Sequence, residues 1–79
     1  MKFILTMSMI AITDVGSVGT TMSTQHVNSR EGCYMAAKQF VGKEKVKQVG
    51  DKFTSVTEFS MGDEMDKIYR EALCTQDGL

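Results

Sequence analysis

Phe3–Ile12, FILTMSMIAI, is the only long apolar run in the 79-residue sequence, and the fold turns on how it is read. With period two, Phe3, Leu5, Met7, Met9 and Ala11 fall on one face, all apolar. Ile4, Thr6, Ser8, Ile10 and Ile12 fall on the other, apolar at its two ends and polar between. Such a pattern predicts a strand with one face fully buried and the other partly covered. The rest of the chain must then supply partners for its two hydrogen-bonding edges and a lid for its apolar face.

The same run has the outline of a leader peptide, with Lys2 ahead of about ten apolar residues. Thr6 and Ser8 interrupt it, however, and no A-x-A-like site follows in TDVGSVGTT, so a strand kept in the fold is the better reading. A membrane-spanning helix needs roughly 20 apolar residues, twice what is present.

Length and composition bound the rest. A chain of 79 residues is one domain, 1–79. Domains of this size bury only about 60% of their unfolded surface, so a covalent staple or a second copy would help. A hydrophobic fraction of 42% and a charged fraction of 24% are those of a globular protein. A net charge of −1 predicts no general affinity for nucleic acid or membranes. The charge is uneven: residues 38–52 hold five lysines, and residues 58–79 hold six acids against Lys67 and Arg70. The two regions can pair within the chain or present opposite signs to a partner. Lys43, Lys45, Lys47, Lys52, Glu58, Asp63, Glu64 and Asp66 are the candidate partner surface.

Downstream of the first strand, Thr13–Gly19 is loop chemistry, with Asp14, Gly16 and Gly19 suited to turns. Thr20–Val27 is rich in threonine and suits a second, half-exposed antiparallel strand. At Asn28 the period changes. Asn28 with Glu31 reads as an N-cap and capping box, and Cys33, Ala36, Ala37, Phe40 and Val41 recur at helical spacing up to Gly42. The expected helix is 29–41, its stripe lying over Phe3, Leu5 and Met7 with Phe40 as the largest lid residue. Lys43–Gly50 reads as loop or a short edge strand, and Lys52–Met61 as a strand. From Asp63, residues Met65, Ile68, Tyr69, Ala72 and Leu73 repeat the helical spacing, which predicts a C-terminal helix; the rival reading makes Tyr69–Gln76 a last strand. Fold class is therefore expected to be α+β. The expectation is a two-layer sandwich, with an antiparallel sheet of three to four strands, the main helix 29–41 and a C-terminal helix.

Few residues point to chemistry. Cys33 and Cys74 are too far apart for a CxxC redox or zinc site; in an exported chain they would form one disulfide, in the cytosol two buried thiols. His26 lies near Cys33 in sequence, so a Cys/His nucleophile pair is a remote third reading. Helix capping accounts for Asp63, Glu64 and Asp66 without a metal. GSVGTT lacks the lysine of a phosphate-binding loop. No cofactor or metal is expected, and no enzyme.

The opening Met1–Ile12, followed by Asn28, Ser29, Glu31, Cys33, Ala36, Ala37, Lys38 and Phe40 in the pattern N-S-x-E-x-C-x-x-A-A-K-x-F, resembles small phage-type accessory proteins, with Cys74 as the second cysteine near the end. Residues 43–68 depart from that class by being longer. The resemblance implies a protein that binds and blocks a host protein or defence complex inside the host cytoplasm. The alternative is a small exported protein stapled by Cys33–Cys74. A homodimer is compatible with either.

Overall fold

A computed structural model describes residues 2–13, 16–43, 45–61 and 64–77. Its elements are β1 (Phe3–Thr13), β2 (Gly16–Val27), α1 (Arg30–Val41), β3 (Lys47–Val49), β4 (Lys52–Met61) and β5 (Glu64–Gln76). All five strands lie in one antiparallel sheet, ordered β2-β1-β5-β4-β3. The apolar run is thus an interior strand, bonded to β2 on one edge and β5 on the other. The chain returns from its far end to place β5 between its first strand and β4.

This overturns the expected fold class. There is no C-terminal helix and no three- or four-stranded sheet: Glu64–Gln76 is a thirteen-residue strand, paired along both edges. The reason is the unmet edge of β1. A local stripe gains at most one helix face, whereas strand pairing satisfies the backbone of β1 and β4 together and seats Ala72 and Cys74 in the core. Two smaller corrections concern the first hairpin and the helix start. β2 begins at Gly16, not Thr20, and absorbs most of the expected loop; its register slips between Ala11 and Ile12. The N-cap is Ser29, not Asn28, and its hydroxyl accepts from the Gly32 amide at 3.0 Å. That puts Gly32, not Glu31, at the third helical position, so no capping box forms. A Cβ on Gly32 would stand 3.1 Å from both Ser29 Oγ and Val27 Cγ1, which explains the glycine. At the other end Gly42 takes φ +79°, an angle glycine adopts without a Cβ clash, and donates to the Lys38 carbonyl as the helix ends.

α1 covers one face of the sheet near the start of β1. Cys33, Ala37 and Val41 are buried against Phe3, Leu5, Phe53, Ala72 and Cys74, and this is the core. Phe40, expected as the main lid residue, is only half-buried; Phe53, 1% exposed, fills the centre instead. The Arg30 guanidinium lies 5.5 Å from the centroid of the Phe3 ring, closing one end of the core with a cation–π contact. Cys33 and Cys74 form a disulfide with Cα atoms 6.1 Å apart, fastening the helix to β5.

Tyr34 packs edge-on against Phe53, ring centroids 5.2 Å apart, and its hydroxyl donates to the Asp51 carboxylate. That hydrogen bond, then burial and the Asp51 charge, raise the phenol above its ordinary pKa, with Arg30 opposing. A phenol whose pKa is raised by folding stabilises the fold fully below its unfolded value, about 10. The contribution is lost as pH climbs through the raised value. Tyr34→Phe should therefore be less stable than the parent at neutral pH, with the gap closing above pH ~10; denaturant melts of both proteins across that range check it.

Candidate functional site

A twelve-residue helix is about 18 Å long, whereas strands of 11 to 13 residues run to roughly 40 Å. One helix cannot cover such a sheet, and it lies on one side only. Among the described residues no helix or strand covers the face opposite α1, which is the open face. Strand alternation assigns to it Ile4, Thr6, Ser8, Ile10 and Ile12 from β1, with the residues paired to them.

Register brings three apolar side chains into one row across the central strands of this face: Ile10 opposite Tyr69, and Tyr69 opposite Val56. Ile10 is 37% exposed and Tyr69 40%, on strands that lie inside the sheet with a neighbour on each edge. Charged pairs frame the row on both sides. Beyond it toward the β4 end, Glu58 accepts from Lys45 at 3.2 Å and lies 3.9 Å from Lys67; on the other side Lys52 meets Glu71 at 2.9 Å. Two shallow hollows flank Tyr69, one of about 230 Å³ beside Ile10 and Thr54, the other of about 520 Å³ toward Lys47 and Val56. An apolar centre ringed by charge is the anatomy of a protein interface.

The expected partner surface is partly assembled here. Lys45, Lys47, Lys52 and Glu58 lie on or beside the open face. Lys43 does not: with Lys38, Val46 and Phe53 it lines a separate cleft of about 790 Å³ at the helix C-terminus. Asp66 pairs with Phe59 on the helix side of the sheet, where one of its carboxylate oxygens is buried without a hydrogen bond. Glu64 lies in β5, so it caps no helix; its side chain, and Asp63 altogether, lie outside the described residues. Of the two charge arrangements open to the sequence, pairing within the chain occupies Lys45, Lys52 and Lys67, so the acidic and basic regions are mutually neutralised at this rim.

Cys33 is disulfide-bonded and so carries no thiolate for His26, which is exposed on β2 opposite Ile4. Among the described residues no cluster of histidine, cysteine and acids could hold a metal ion. Among the described residues no helix is long and apolar enough to cross a membrane. The sequence reading missed exposed Tyr69 and its half-buried neighbour Val56, having placed Tyr69 on a helix stripe. The signal present was the outward face of the first strand, where Ile4, Ile10 and Ile12 stand at positions an ordinary solvent-facing strand fills with polar residues. Compared with known protein families, curated proteins and solved structures, the chain finds no match in any of the three.

Proposed function

We propose that the chain is a small non-catalytic binding protein that works by laying the open face of its sheet against a partner protein. The observation that carries this reading is the Ile10–Tyr69–Val56 row, apolar and uncovered in the middle of the sheet, with a rim of ion pairs. The molecule measures 49 × 20 × 16 Å, so such a face has room for the roughly 800 Å² per side of a standard interface. The phage-type resemblance directs the search for that partner to host proteins. The buried Cys33–Cys74 bond supports a place of work in an oxidising compartment over the cytoplasm expected from the sequence.

The test is capture of a partner from host extract by the immobilised disulfide-bonded chain, repeated with Ile10→Thr and Tyr69→Thr. Both variants place threonine, a β-branched strand former, on the strand, so they should melt close to the parent while binding the captured protein at least about tenfold more weakly. A partner bound equally well by all three proteins would remove this face from consideration.

A further inference from the structure

The sheet has two edges, and they are treated differently. At one, β3 covers Lys52–Thr54 of β4 with three residues including Lys47, and past it the edge is β4 itself, which carries Glu58. β2 forms the other with twelve residues, Gly16–Val27, which contain no proline, lysine, arginine or carboxylate, and Gly19–His26 are exposed throughout. Edge strands are ordinarily guarded by charge, proline or brevity, because their free amides and carbonyls template pairing with another chain. The β3–β4 edge carries that guard in Lys47, Glu58 and the brevity of β3, and β2 has none of it.

We infer that β2 pairs antiparallel with β2 of a second copy, on a two-fold axis through Met22, giving a continuous ten-stranded sheet. The sequence around Met22 is self-complementary in the way such an axis demands. Thr21 would face Ser23 of the partner subunit, and Thr20 would face Thr24 of the partner subunit. Hydroxyl residues thus meet at each position nearest the centre, a pairing that stabilises antiparallel strands. Met22 itself, 76% exposed, would meet its own copy and be covered. With no charge on either edge, identical strands approach without repulsion. The assembly also closes. A two-fold contact uses β2 on both sides, so both unguarded edges are consumed, and the β3 and β4 edges left outside carry the charges of Lys47 and Glu58. This pairing uses the backbone edge of β2 and holds whether or not the open face binds a partner.

Sedimentation equilibrium of the disulfide-bonded chain tests it. The parent should be dimeric at micromolar concentration. Met22→Asp, which sets two carboxylates on the axis, should weaken association at least tenfold. Val49→Asp on the opposite edge should leave it unchanged. The register is read by a pair of double variants: Thr20→Glu with Thr24→Glu places like charges opposite each other and should be monomeric, whereas Thr20→Glu with Thr24→Lys should be dimeric. A parent monomeric up to about 1 mM would overturn the inference. So would a dimer indifferent to Met22→Asp, or equal association of the two double variants.

Discussion

Phe53→Ala is expected to leave most of the chain unfolded at physiological temperature. Phe53 is the largest fully buried side chain, stacked edge-on by Tyr34 and paired across the sheet with Ala72. Truncating a buried phenylalanine costs about 3–5 kcal/mol through lost transfer energy and the cavity left behind. Ala72, Ala37 and the disulfide are small or fixed, so the site has little with which to collapse. At 0.05–0.15 kcal/mol per residue, a chain of this length holds roughly 4–12 kcal/mol in all. The loss is therefore comparable with the whole. Phe40→Ala, at a half-buried position, should cost markedly less, and Val49→Ala, 76% exposed on the edge, less than about 0.5 kcal/mol. Thermal melting of the three beside the parent checks the order, and a Phe53→Ala protein melting within a few degrees of the parent would mean the core is centred elsewhere.

Replacing both Cys33 and Cys74 by alanine should cost a similar amount. The bond spans 41 residues, for which constraint of the unfolded chain contributes about 4 kcal/mol. Its placement adds to this. Both sulfurs lie in the core, so the variant also loses packing at the single point where α1 is fastened to β5. The sheet itself does not depend on the bond, since the backbone ladders from β1 to β5 and from β4 to β5 run the length of the strands. Urea denaturation followed by circular dichroism should accordingly show a midpoint lowered by a large fraction in the double alanine variant. A shift worth less than about 1 kcal/mol would show that the helix is held by its apolar stripe alone.

Much of this architecture is legible in the residues. The alternation of Phe3, Leu5 and Met7 marks the covered face of β1, and the stripe of Cys33, Ala37 and Val41 marks the face of α1 that covers it. Lys52–Met61 reads as a strand from its aromatic and β-branched content and is one. The C-terminal segment does not read correctly, for a physical reason. As a strand its inward positions are Asp66, Ile68, Arg70, Ala72 and Cys74, and its outward ones Lys67, Tyr69, Glu71, Leu73 and Thr75. Neither set is apolar throughout, because the helix covers only one end of the inner face and apolar residues stand on the open face. Period two is therefore erased, while glutamate, methionine, lysine, alanine and leucine favour a helix locally. What decides the matter is the demand of β1 and β4 for a shared neighbour, a long-range constraint that no window of the sequence contains. The open-face row was hidden by the same error, since Tyr69 reaches Ile10 and Val56 only when β5 is a strand.

The insertion of β5 between β1 and β4 is thus the claim on which core, disulfide and binding face all rest. The direct measurement is a nuclear Overhauser spectrum of the folded protein, read at Ala72. Ala72 should show contacts to Met7 on one side and to Phe53 on the other, its register partners on β1 and β4. A ladder of contacts three and four residues apart through Met65, Ile68 and Ala72, with none from Ala72 to Met7, would make the segment a helix and contradict the account.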